Sequence, residues 1–197
     1  MTTERRDRRH TLHRLAALQG GYFTAAQALE QGYSYQAQQY HVHHGNWLRV
    51  GRGLFRLPEW PTSEHDDLMR WHLWSKGRAV ISHDTALALH DLGDLNPERV
   101  HLTVPPNFRQ RSDRAVLHRA EIPSAEVLEH GSFRVTTPVR ALLEVATGDL
   151  DQERLSSAVR DAVSRGLATP HALRDRADHF GHRAALRIER ALAVGPN

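Results

Sequence analysis

The chain has 197 residues, 40% of them hydrophobic and 25% charged, with a formal net charge of +3 and no cysteine. That size suits one ordinary globular domain or two small ones, and the missing cysteines exclude disulfides and thiolate-ligated zinc or iron–sulfur sites. No run of ~18 apolar residues could span a bilayer, and the charged segment from Met1 to Arg9 lacks the apolar core of a signal peptide, all of which fits a cytoplasmic protein without a membrane partner.

In chain order, residues 5–19 read as a first helix with Leu12, Leu15, Ala16 and Leu18 on its apolar side, closed by Gly20-Gly21. Thr24 is a natural N-cap for a short helix of strong helix formers, Ala25 to Glu30, which Gly32 stops. Ser34 then caps a second helix, Tyr35 to His43, ended by Gly45. This helix is almost free of large aliphatic residues and displays amides, phenols and imidazoles instead. Such groups suit DNA: glutamine pairs bidentately with adenine in the major groove, and serine, tyrosine and histidine bond phosphate oxygens.

Two strand-like runs follow, Trp47 to Val50 and Leu54 to Leu57, around Gly51-Arg52-Gly53. Period-two alternation groups Leu48 and Val50 with Phe55 and Leu57 on a dry face and sends Arg49 and Arg56 outward, while the glycines lift Arg52 clear on a tight loop. Helix, turn, helix and basic hairpin in this order describe a winged helix-turn-helix, and DNA binding is the leading expectation. The expected contacts are Ser34, Tyr35, Gln36, Gln39, Tyr40 and His43 from the second helix and Arg49, Arg52 and Arg56 on the DNA backbone. Residues 1–60 hold eight arginines against four acids, an excess of +4, whereas the remainder sums to −1. The excess is modest, so binding should be salt-sensitive and weak for one copy, which favours a homodimer or paired sites on double-stranded DNA.

The prolines Pro58 and Pro61 place a domain junction after the wing, giving a DNA-binding domain over 1–60 and a second domain over 61–197. The second part reads as a helix from Ser63 to Lys76 and a short strand from Ala79 to Ser82. A helix capped by Ser82 or Asp84 follows, then strands over Val100 to Val104, Ala115 to Ile122 and Phe133 to Thr136. Thr137-Pro138 opens a helix with proline at its first position, and three further helices follow: Asp151 to Arg165, Thr169 to Phe180 and Gly181 to Ala193. The fold class is therefore α+β, an N-terminal winged helix-turn-helix followed by a mixed α/β domain with a helical C-terminal end.

The residues carrying chemistry do not add up to a catalyst. His41 and His44 share a helical face but have no carboxylate beside them, and His179 and His182 straddle Gly181, so no metal site is expected. Ser82, His83 and Asp84 sit side by side at a strand-to-helix turn, where capping explains them better than a nucleophile, base and orienter, which must converge from separate segments. Lys76 is the one lysine in the chain, and no phosphate loop or dinucleotide glycine motif is present, so neither a nuclease nor a nucleotide cofactor is expected. No catalytic residue and no cofactor is assigned. Arg109, Arg111 and Arg114 fall in a loop between strands that reads as solvated, the alternative being an extension of the DNA contact or a hold on an acidic face of a partner.

Four stretches in order are shared in kind with one known group of proteins: the wing Trp47 to Leu57, the run Val80-Ile81-Ser82-His83-Asp84-Thr85-Ala86-Leu87-Ala88-Leu89-His90-Asp91-Leu92, His101 to Pro105, and Val135 to Leu143. Together they make the chain resemble the AbiEi family of antitoxins over nearly its whole length. The resemblance implies a transcriptional regulator that binds inverted repeats in its own promoter, and a C-terminal domain that counters a co-encoded nucleotidyltransferase-like toxin. The second helix departs from the arginine-bearing helix of such relatives by carrying Gln36, Gln38, Gln39, His41, His43 and His44. A rival expectation is a protein-interaction module whose winged fold docks on another protein, with the basic hairpin serving solubility.

Overall fold

A computed structural model describes residues 2–194. The chain divides into two compact units, Met1–Gly77 with Gly131–Phe133, and Arg78–His130 with Arg134–Asn197.

In the first unit, α1 (Thr2–Ala17) buries Leu12 and Ala16. Gly20 and Gly21 then turn the chain with φ of 61° and 84°, a region that glycine enters without steric cost. At Gly21 a Cβ would lie 2.4 Å from the Trp60 ring, so the position has no room for any side chain. β1 (Tyr22–Thr24) leads into α2 (Ala25–Glu30), opened by a reciprocal capping box: Thr24 accepts from the Gln27 amide at 3.2 Å, and Gln27 accepts from the Thr24 amide at 2.8 Å. α3 (Tyr35–His43) starts at Ser34, whose hydroxyl accepts from the Ala37 amide at 3.2 Å. β2 (Leu48–Gly51) and β3 (Leu54–Arg56) form the wing.

The three strands form an antiparallel sheet in the order β1, β3, β2, with β3 in the centre and a bulge in β2 between Arg49 and Gly51. An apolar cluster of Leu12, Ala16, Phe23, Ala28, Trp47, Phe55 and Leu57 ties the sheet to the helices. Phe23 lies edge-on to Trp47 with centroids 4.9 Å apart, and Phe55 sits 5.7 Å from Phe23 and 5.6 Å from Trp47.

This unit runs past the prolines that mark a junction in the sequence. The next helix, α4 (Asp66–Trp74), contacts β1 and β3. Asp66 accepts from the Tyr22 hydroxyl at 3.1 Å and pairs with Arg56 at 3.5 Å, so the segment after Pro61 is fastened to the wing.

The second unit contains a five-stranded mixed sheet in the order β6, β5, β4, β8, β7. Its elements are β4 (Val80–Ile81), α5 (His83–Leu89), β5 (Val100–Val104), β6 (Ala115–Arg119), a 3-10 turn (Ser124–Glu126), β7 (Val127–His130) and β8 (Phe133–Thr136). β5 runs parallel to β6 and antiparallel to β4, and β4 runs parallel to β8. α6 (Pro138–Thr147), α7 (Gln152–Ser164), α8 (Pro170–Ala177), a 3-10 turn (Asp178–Phe180) and α9 (His182–Ala193) complete the helical end. Thr137, Asp151 and Thr169 each accept the amide three residues on, at 3.3, 2.9 and 3.1 Å, and proline follows two of them as the sequence predicts. Leu87, Leu102, Leu142, Leu143, Leu155, Leu173 and Ile188 are fully buried. Arg187 on α9 is buried as well, donating to the carbonyls of Gly148 and Leu150 and so holding the α6–α7 loop. The fold class is α+β.

Candidate nucleic-acid interface

The outer face of α3 is polar and open to solvent. Ser34, Tyr35, Gln36, Gln39, Tyr40 and His43 are all exposed, with Tyr35 at 66% and Tyr40 at 57%, far more than a tyrosine packed on a core would show. Tyr40 stacks on His44 at 3.9 Å, and the His44 ring bonds the Tyr40 carbonyl at 2.9 Å, which stiffens the C-terminal turn.

Two polar residues of the same helix point inward. Gln38 is buried and donates to the carbonyls of Ala25 (3.1 Å) and Tyr33 (3.0 Å), locking the turn between α2 and α3. His41 lies flat on Trp47, with ring centroids 4.6 Å apart and planes inclined by 16°, and burial pushes its pKa down. These two are structural members of the helix, and its display narrows to the residues above.

On the wing, Arg49 and Arg52 are exposed. The Arg49 guanidinium lies over the Phe55 ring at 5.5 Å, which orients it without burying it. Arg52 stands in the loop between β2 and β3, and the Gly53 carbonyl accepts from the Ala25 amide at 2.8 Å, fastening that loop to the start of α2.

Arg56 is different, and here the expectation of an outward, phosphate-facing arginine is corrected. Its residue is 7% exposed. It donates to the carbonyls of Trp60 (2.9 Å) and Pro61 (2.8 Å), pairs with Asp66 and lies over the Tyr22 ring at 5.3 Å. The alternation rule failed because β3 is the central strand: one face packs on the core and the other is covered by the chain from Trp60 to Asp66, so no solvent face remains. Leu48 also departs from its expected dry face, at 43% exposed, beside the bulge that shifts register in β2.

A second polar cluster lies in the other unit. Ser82 precedes α5, but its hydroxyl does not cap the helix; it accepts from Thr103 at 2.9 Å, while Glu144 accepts the His83 amide at 3.2 Å. The capping expectation for Ser82 or Asp84 is thereby replaced by a carboxylate from α6. His83 has φ of 52° and stacks on His118, with centroids 3.4 Å apart and planes at 11°. His101 bridges Asp84 and His118, each at 3.3 Å. Burial and the neighbouring imidazoles lower the pKa of His83 to about 2 and that of His118 to about 4. His83 Nδ1 faces both Ser82 Oγ (3.0 Å) and Glu144 (3.5 Å), so one nitrogen meets hydroxyl and carboxylate and no relay runs across the ring. Among the described residues no group of three or more His, Asp or Glu is arranged to hold a metal ion. Arg109, Arg111 and Arg114 are exposed in the loop between β5 and β6.

No curated protein sequence matches the chain. Among solved structures, the crystal structure of the RV2827C protein from Mycobacterium tuberculosis aligns with a TM-score of 0.48 at 14% identity, covering 95% of this chain and 80% of that one. Residues 10–58, from the middle of α1 to the end of the wing, match a family model described as a transcriptional regulator, AbiEi antitoxin.

Proposed function

We propose that the chain is a DNA-binding transcriptional regulator that lays α3 in the major groove and the Arg49 and Arg52 wing on the flanking backbone, acting as the antitoxin of a toxin–antitoxin operon whose promoter it occupies. The observation that carries this reading is the solvent-facing row Ser34, Tyr35, Gln36, Gln39, Tyr40 and His43 on a helix whose inward residues, Gln38 and His41, are locked in place. A helix held rigidly with its polar side free is pre-organised for base edges and phosphates. The family match over residues 10–58 supports the regulatory assignment. Inverted promoter repeats and a nucleotidyltransferase-like toxin partner belong to this proposal through the family resemblance, with one copy of the chain on each half-site.

The test is fluorescence anisotropy of the intact protein on its own upstream DNA across a salt series. Saturable binding that steepens at low salt is expected, and Gln36→Ala should change base preference at one position by ~1–3 kcal/mol while leaving unrelated DNA unaffected. Equal, weak binding to every duplex, unchanged by Gln36→Ala, would overturn the reading in favour of a winged protein-docking module.

A further inference from the structure

In the second unit a cavity of about 500 Å³ is lined by Glu126, Arg140, Arg176, His179 and Phe180. Nothing in the proposed DNA contact uses it. Glu126, at the end of the 3-10 turn before β7, holds both arginines: its Oε2 accepts from Arg140 at 2.7 Å and its Oε1 from Arg176. Arg140 also donates from Nε to Glu144 at 2.8 Å and covers the Phe180 ring at 4.6 Å. These contacts leave donors over. Among the described residues, Arg140 Nη2 and Arg176 Nε and Nη1 donate to no protein acceptor. They are not sealed from solvent either, so they are open to a ligand.

We propose that this cavity binds a small oxyanion, the phosphate or carboxylate of a metabolite-sized molecule, on Arg140 and Arg176. The two guanidiniums are already fixed by Glu126, so a ligand need not order them on arrival. Their remaining N–H groups are charged donors, which carboxylate and phosphate oxygens accept more strongly than neutral ones. The local charge favours an anion: among the lining residues two guanidiniums stand against the single carboxylate of Glu126. His179 adds a donor at the rim, and Phe180 an apolar wall for the organic part of the ligand. This site stands independently of the DNA-binding reading.

The experiment is a titration of the intact 15N-labelled protein, followed by NMR, with inorganic phosphate in one arm and sodium acetate in the other at constant ionic strength. Saturable shifts of the Glu126, Arg176, His179 and Phe180 amides are expected, and the arm that saturates at lower concentration identifies phosphate or carboxylate as the recognised group. Arg176→Ala should weaken binding by about tenfold or more through loss of charge-assisted hydrogen bonds. Arg176→Lys, which keeps the charge but not the guanidinium's set of donors, should retain part of it. Arg52→Ala should leave it unchanged. Shifts that fail to saturate in both arms, that survive Arg176→Ala undiminished, or that appear only in residues 2–60 would overturn the proposal.

Discussion

Replacing Arg56 with alanine removes a buried cation that serves two carbonyls, a carboxylate and an aromatic face. The Trp60 and Pro61 carbonyls then lose the Arg56 donor and Asp66 its cationic partner, and a loss of about 2–4 kcal/mol in unfolding free energy is expected by urea denaturation. Arg52→Ala should do the reverse. Its side chain is exposed on the loop tip, so stability should stay within about 0.5 kcal/mol, while the slope of log affinity against log salt should fall by about one unit on all DNA sequences. Two arginines four residues apart are thus separable by measuring stability and salt dependence side by side. Nothing in the residues themselves distinguishes them; the covering segment from Trp60 to Asp66 does.

At the level of elements, the order of helix, turn, helix and hairpin was legible because each start and stop carries its own chemistry: Thr24 and Ser34 as caps, and the Gly51-Arg52-Gly53 loop. What alternation and amphipathicity could not reveal is which polar residues turn inward. Gln38 reads as one more amide on a polar helix, yet it donates to Ala25 at the start of α2 and to Tyr33 in the turn before α3. Gln38→Ala should cost about 1–2 kcal/mol in the same denaturation assay, with DNA affinity lowered and base preference retained. In the second unit the strands and the Thr137-Pro138 and Thr169-Pro170 helix starts were legible, whereas β7 was not. The imidazole cluster was hidden for a topological reason: His83, His101 and His118 come from α5, β5 and β6, so only the folded sheet brings them together. The family resemblance named the regulator, but the arginine pair on Glu126 lies outside any short motif.

For the whole molecule, those imidazoles set the response to acid. The fold holds His83 and His118 neutral, with pKa values lowered to about 2 and about 4 by burial first and by neighbouring imidazoles next. Ordinary histidine titrates near 6.5, so below that pH the unfolded chain binds protons that the folded one refuses. Stability is therefore fully present above about pH 6.5 and is lost as pH falls toward 4, by up to about 1.4 kcal/mol per pH unit for each imidazole. Glu144, whose pKa is raised by burial, acts in the opposite sense, but one carboxyl stands against two imidazoles. Thermal melts at pH 7.5 and 5.0 should show a lower midpoint in acid. His118→Gln should narrow the gap, and an unchanged gap would mean that the stacked rings already carry a proton.

The clasp between Arg56, Tyr22 and Asp66 has a practical corollary for anyone wanting the winged unit alone. A gene trimmed at the proline-marked boundary would discard Asp66 and α4, strand the clasp's other two members, and yield a fragment prone to aggregate. Trimming after Gly77 keeps the fastening intact.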